Sequence, residues 1–175
     1  MIKPAVIWFT GLPSSGKTTL SNLLGDSIRA NGNPVVCIDG DAFRKSLASD
    51  LGYSIADRQE NIRRAAQMAR LVVESGVTAI CSFISPTEQI RQLARQIISS
   101  PRFVEVYVST PLEVCKQRDV KGLYKKVAQG LIKDFTGIDS PYEVPANPDC
   151  TIDTSLMSPS ECANLLFTCI TQKFY

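Results

Sequence analysis

The chain contains no histidine. This removes the side chain whose charge changes most readily near neutral pH, and it excludes a Cys/His zinc centre. The six cysteines, Cys37, Cys81, Cys115, Cys150, Cys162 and Cys169, include no C-x-x-C pair. They are read as small buried hydrophobes in a reduced cytosol. A large charge of one sign is also missing. The net charge of +2 gives no general grip on nucleic acid or on a membrane surface. No apolar run is long enough to span a bilayer. Met1–Ile2–Lys3–Pro4 leads straight into the first apolar segment, so no secretory leader is expected. These absences point to a cytoplasmic protein.

What is present suits a single domain over 1–175: 175 residues, 44% of them hydrophobic and 21% charged. Apolar, β-branched runs recur at 5–9, 34–38, 77–83, 103–108 and 150–152. Their near-continuous apolar character fits strands covered on both faces of a parallel sheet. Helix-length segments lie between them. In one, Ile62, Ala65, Ala66, Ala69 and Val73 share a face and Gly76 follows the end. Alternation of strand and helix predicts an α/β fold, three layers deep, with a five-stranded parallel sheet flanked by helices. The stretch from about 119 to 148 interrupts this order. It carries three glycines, three prolines and little apolar periodicity beyond a short helix near 121–129. Such an insertion in a compact domain is expected to be a substrate lid, with few ways to bury itself unless a ligand is bound.

The strongest local motif is Gly11-Leu12-Pro13-Ser14-Ser15-Gly16-Lys17-Thr18, followed by Thr19. It sits between a predicted strand and a helix reaching about Ala30, the context that a phosphate-binding loop requires. Gly11 and Gly16 let backbone N–H groups turn inward around phosphate oxygens, and the helix dipole adds to their pull. Lys17 can reach the β- and γ-phosphates of ATP, and the Thr18 hydroxyl can ligate Mg²⁺. With the loop empty, Lys17 is expected to meet only solvent. The fold is thus that of the P-loop NTPases.

Asp39 and Asp41 follow the second strand, where open α/β sheets bind ligands. A carboxylate pair there can hold a metal-bound water or take a proton from an attacking hydroxyl. Asp39–Gly40 is also ordinary turn chemistry, although that does not account for Asp41 and Arg44 beside it. Further on, Arg58 and Asn61 project together from the first turn of a helix. Asp57 is expected to cap that helix, with Glu60 completing a capping box. Arg58, Asn61 and Arg64 are left for an anionic ligand.

These residues, with "SFISP" at 82–86, "PLEVCKQRDVKGLYKK" at 111–126 and "FTGIDSPYEVP" at 135–145, resemble the adenylylsulfate kinases over about 6–154. The resemblance implies transfer of the ATP γ-phosphate to the 3′-hydroxyl of adenosine 5′-phosphosulfate. It places Asp39 at that hydroxyl and at Mg²⁺, with Asp41 in support and Lys17 on the phosphates. It places Arg44, Arg58 and Asn61 on the phosphosulfate and ribose. Tyr53, where the family usually has phenylalanine, and Phe135 would sandwich the adenine, with the backbone of Ile84 and Ser85 lining the same pocket. Ser85 matches a serine phosphorylated in some relatives. Lys121 and Lys133 would belong to the lid, and Arg118 would lie near the ATP adenine. A homodimer and an ATP sulfurylase partner are implied as well.

The chain departs from the family pattern at Ala42, Thr87, Glu88, Ser109 and Leu131, and it starts at the first strand without the family's usual N-terminal extension. These changes bear on acceptor preference and oligomer contacts. Two other readings stay open: a kinase of a related conjugate such as cytidine diphosphoramidate, and a nucleotide-binding subunit without catalysis.

Overall fold

The computed structural model describes residues 3–99 and 101–174. Five strands form one parallel sheet in the order β2-β3-β1-β4-β5: β1 (Val6–Gly11), β2 (Val35–Asp39), β3 (Thr78–Ser82), β4 (Phe103–Val108) and β5 (Cys150–Ile152). The expected apolar runs match these strands to within about two residues at each end. β1 is central and buried throughout, which is why "VIWFTG" shows no polar alternation.

Successive side chains of a strand point to opposite faces, and the core divides accordingly. Val6 and Trp8 of β1 pack with Ala79 and Cys81 of β3 under α3 (Ile55–Glu74) and α4 (Glu88–Ile98). Ile7 and Phe9 pack with Ile80 and Val106 under α1 (Lys17–Ala30) and α7 (Pro159–Phe174). The expected three layers are therefore present. Among the described residues, no helix is long and apolar enough to cross a membrane.

Two sequence expectations are corrected by packing. Cys150 of β5 and Cys169 of α7 form a disulfide, so they are not free thiols. The pairing joins a strand to the helix lying over it, which no local spacing announces. Cys81, Cys115 and Cys162 are buried free cysteines as expected, while Cys37 is half-buried. The second correction concerns α3, which starts one turn earlier than expected. Ser54 is its N-cap and Asp57 occupies the third position of the capping box. Glu60 instead binds Arg63 and Arg64, whose guanidinium groups hold its carboxyl down at about 2.

Two short helices extend the C-terminal side of the sheet near the phosphate loop, α2 (Gly40–Leu47) and α5 (Leu112–Arg118). The 119–148 segment contains α6 (Leu123–Ala128). Asp119 opens that helix by accepting from the Tyr124 and Lys125 amides, each at 3.0 Å. Contrary to expectation, the segment buries part of itself. Tyr124 and Phe135 meet edge-to-face, with ring centroids 5.0 Å apart, and form an apolar cluster with Cys115. Leu12 of the phosphate loop and Ile132 pack against that cluster. The aromatics supply the burial that a count of glycines, prolines and lysines missed.

Candidate active site

The phosphate loop is shaped by main-chain constraints. Gly11 has a φ of 151°, and a Cβ there would lie 2.7 Å from the Val108 carbonyl oxygen. Close packing against β4 therefore requires glycine. Gly16, with a φ of 102°, is the N-cap of α1 and offers no side chain to its first amides. An uncapped helix start with a left-handed residue before it suits an anion. The loop is pinned from below, because the Thr110 and Thr154 hydroxyls reach the Ser15 carbonyl at 3.0 and 2.9 Å. Neither threonine was legible as a site residue, since both follow strands remote in sequence. Leu12 and Pro13 form the loop's contact with the 119–148 segment: Pro13 accepts from the Tyr124 hydroxyl at 3.0 Å. Ser14 takes a φ of 60° at the loop's turn, and Thr19 stays exposed on the first turn of α1.

Lys17 does not point to solvent as expected. Its ammonium donates to the Gly11 and Leu12 carbonyls at 2.9 and 2.7 Å, and it is only 9% exposed. Burial pulls its pKa down to about 8. The folded-back lysine fills the loop's own acceptors, which phosphate oxygens can outbid as stronger partners.

Thr18 and Asp39 are brought together. The Thr18 hydroxyl donates to Asp39 Oδ2 at 2.8 Å, which leaves its lone pairs available to a cation. The other oxygen of Asp39 caps α2, accepting from the Asp41 and Ala42 amides at 3.0 and 3.1 Å. The Asp39–Gly40 pair thus starts a helix. Burial pushes the Asp39 carboxyl up, but the bonds from Ala42, Thr18 and Asp41 outweigh it and the net shift is downward. A carboxylate held in its charged form suits an Mg²⁺ site and makes a weak base. Thr18 and Asp39 therefore fit the ion. Asp41 is exposed and is paired with Lys121 of the 119–148 segment.

The residues expected on the acceptor side converge, and most already hold internal partners. Arg58 donates to the Tyr53 carbonyl at 2.9 Å, to the Thr136 hydroxyl at 2.9 Å and to the Asp134 carbonyl at 2.5 Å. Thr136 lies within the 135–145 motif but was not singled out there as a site residue. Arg44 donates to the Gly52 carbonyl at 2.6 Å and lies 4.7 Å above the Tyr53 ring. Tyr53 is 63% exposed, whereas Phe135 is 8% exposed against Tyr124. Asn61 is buried and its Oδ1 has no partner among the described residues, which leaves it able to accept from a ligand. Arg64 is not available in this way, because Glu60 and Asp50 hold it.

The loop of Ile84 and Ser85 closes this side. The Thr10 hydroxyl takes the Ile84 carbonyl at 2.7 Å, and buried Arg91 takes that of Ser85 at 3.0 Å. The Ser85 hydroxyl is buried and accepts from the Trp8 indole at 2.9 Å, so it is not presented for modification. Lys133 is exposed. Arg118 is anchored to Thr154, donating to its hydroxyl at 2.6 Å and its carbonyl at 2.8 Å, which sets it beside the loop's Gly16 end.

The profile of a family described as "Adenylylsulphate kinase" matches residues 3–153. An adenylyl-sulfate kinase of Marinobacter nauticus is 44% identical over 171 residues, spanning 98% of this chain and 86% of its own. One from Thermodesulfovibrio yellowstonii is 46% identical with the same coverage. The solved Mycobacterium tuberculosis APS kinase, in complex with AMPPNP and APS, superposes with a TM-score of 0.93 at 39% identity, covering 97% of this chain and 99% of that one.

Proposed function

The chain belongs to the adenylylsulphate kinase family, and from that premise we propose how its residues divide the work of one phosphoryl transfer. The reaction moves the γ-phosphate of ATP to the 3′-hydroxyl of adenosine 5′-phosphosulfate, giving 3′-phosphoadenosine 5′-phosphosulfate. The observation that carries the assignment of roles is the Thr18–Asp39 hydrogen bond. It ties the phosphate loop to the carboxylate assigned to the acceptor hydroxyl, which supports one cleft for nucleotide and acceptor.

Residues 11–19 hold the ATP phosphates through backbone amides, and Lys17 leaves its loop carbonyls for the β- and γ-oxygens. Thr18 and Asp39 would hold Mg²⁺, which when bound would supply positive charge to offset that of the transferring group. Asp39 stays anionic and orients the 3′-hydroxyl for in-line attack, which matters more than its basicity when the transition state is loose. Asp41 supports it. Arg44, Arg58 and Asn61 take the phosphosulfate and ribose, exchanging internal carbonyl partners for the stronger anionic ones. Tyr53 and Phe135 flank the adenine beside Ile84 and Ser85. Segment 119–148 acts as the lid, carrying Lys121 and Lys133 over the reacting groups, and Arg118 lies near the ATP adenine. We extend the reading to a homodimer, which light scattering of the purified chain checks.

The test is ADP release by purified protein, coupled to a spectrophotometric readout, with ³¹P NMR of the product. ADP should appear only when adenylylsulfate is added, with a new 3′-phosphomonoester resonance. Turnover with cytidine diphosphoramidate and none with adenylylsulfate would transfer the assignment to that acceptor. ATP binding without turnover on either would leave a binding subunit.

A further inference from the structure

Ser82 ends β3 and has no part in the roles assigned above. It pairs in register with Asp39 of β2 on one side and Phe9 of β1 on the other. Register partners in a parallel sheet share a face, and neighbouring strands lie about 4.8 Å apart. The face is identified by Ile80, two residues earlier, and by Phe9, both of which pack under α1. Asp39 also faces α1, because it accepts from Thr18 on the first turn of that helix. The main chain is equally close: a Cβ on Gly40 would lie 2.8 Å from the Ser82 carbonyl oxygen.

Ser82 is 4% exposed, and its Oγ has no hydrogen-bond partner among the described residues. A hydroxyl buried without a partner is costly, and alanine would fill the same volume without that cost. A partner that arrives with the nucleotide accounts for keeping it. Thr18 and Asp39, the two groups suited to a divalent ion, lie on the same face and at the same end of the sheet.

We propose that Ser82 is a positioning residue for the metal–nucleotide complex: its hydroxyl binds a water in the shell of the ion that Thr18 and Asp39 hold. The inference rests on the proposed metal site and adds a third protein group to it. Its effect is to fix that water, and so the orientation of the ion, without touching either substrate. Groups that orient a metal's ligands from outside typically change metal affinity by about 10- to 100-fold when removed.

The test measures Mn²⁺ binding to the full chain with saturating ADP, by electron paramagnetic resonance. ADP binding is measured alongside without metal. Ser82→Ala should raise the Mn²⁺ dissociation constant about tenfold, at the low end of that range because one neutral hydroxyl acts through water. ADP binding without metal should be unchanged, the melting temperature equal or higher, and Ser82→Thr should restore Mn²⁺ affinity. Thr18→Ala serves as the reference. If Thr18→Ala weakens Mn²⁺ binding and Ser82→Ala does not, Ser82 is only a small residue under α1 and the proposal is wrong. If neither change weakens it, the metal-site reading is overturned together with this one.

Discussion

The phosphate loop and the acceptor side are built by different means. The loop is held at its main chain by residues that the neighbouring strands bring beneath it: Gly11 lies against Val108, Ser15 is held by Thr110 and Thr154, and Gly16 opens α1. The acceptor side is assembled from long side chains that bridge elements far apart in sequence. Arg58 on α3 grips Asp134 and Thr136, and Lys121 reaches Asp41. Both Lys121 and Asp41 are exposed, and pairs of this kind contribute little stability. The loop is therefore preformed, while the acceptor side depends on how the 119–148 segment sits. Arg44 and Arg58 rest on internal carbonyls that a substrate anion can replace.

The largest effect should come from the preformed side. Lys17→Ala should lower kcat by about 10³-fold or more with any acceptor, because the transition state loses its cation on the β- and γ-phosphates. The fold should survive, since the change relieves the burial of a charged group, and circular dichroism with a melting curve checks this. Near-normal turnover would remove the loop lysine from the mechanism.

At the junction of the two regions, Asp39→Asn keeps the cap of α2, because asparagine caps helices as well as aspartate does. It removes the charge to which the proposal assigns the metal and the hydroxyl. We expect kcat to fall by about 10²–10⁴, with adenylylsulfate affinity little changed. Asp41→Asn should cost less. The reverse order in steady-state kinetics would mean that the wrong carboxylate carries the chemistry.

On the acceptor side, Arg58→Ala should weaken adenylylsulfate binding by about 1.5–3 kcal/mol, the range for a charge-assisted hydrogen bond, and leave ATP binding nearly intact. Calorimetry with each ligand separates the two regions. Equal losses for both would abolish the contrast between them.

The smallest effect is in protons. Lys17 has a pKa of about 8 in the free protein, against 10.5 for an unburied lysine. It is protonated below that value and loses its charge above it. Phosphate oxygens favour the charged form, so ATP binding should be accompanied by proton uptake above pH 8 and by little at pH 6. Calorimetry in buffers of differing ionisation enthalpy measures this. No uptake at pH 9 would mean that the lysine is already charged there.

The same contrast explains what the sequence made legible. The loop and the five strands could be read because each is a local pattern: glycine spacing, continuous apolar runs, a strand before and a helix after. Asp39, Arg58 and Asn61 were legible as candidates, but their present partners were not. Nothing near Arg58 in sequence points to Thr136, and nothing near Ser15 points to Thr154. The cap of α3 was misplaced by one turn because Asp57 and Glu60 imitate a capping box, while the true cap, Ser54, sits behind an exposed tyrosine. The Cys150–Cys169 bond was missed for the same reason as the threonines, since it depends on which helix lies over which strand.

The most direct test of the contrast is amide hydrogen exchange over 11–19 and 119–148. It should be run on the free protein, with a non-hydrolysable ATP analogue, and with the analogue plus adenylylsulfate. Cross-element contacts that are individually weak predict rapid opening of 119–148 in the free protein. They also predict strong protection there only once the acceptor is present. The start of α1 should change mainly with the nucleotide. Equal protection of 119–148 in all three states would contradict the account, because the acceptor side would then be as preformed as the loop.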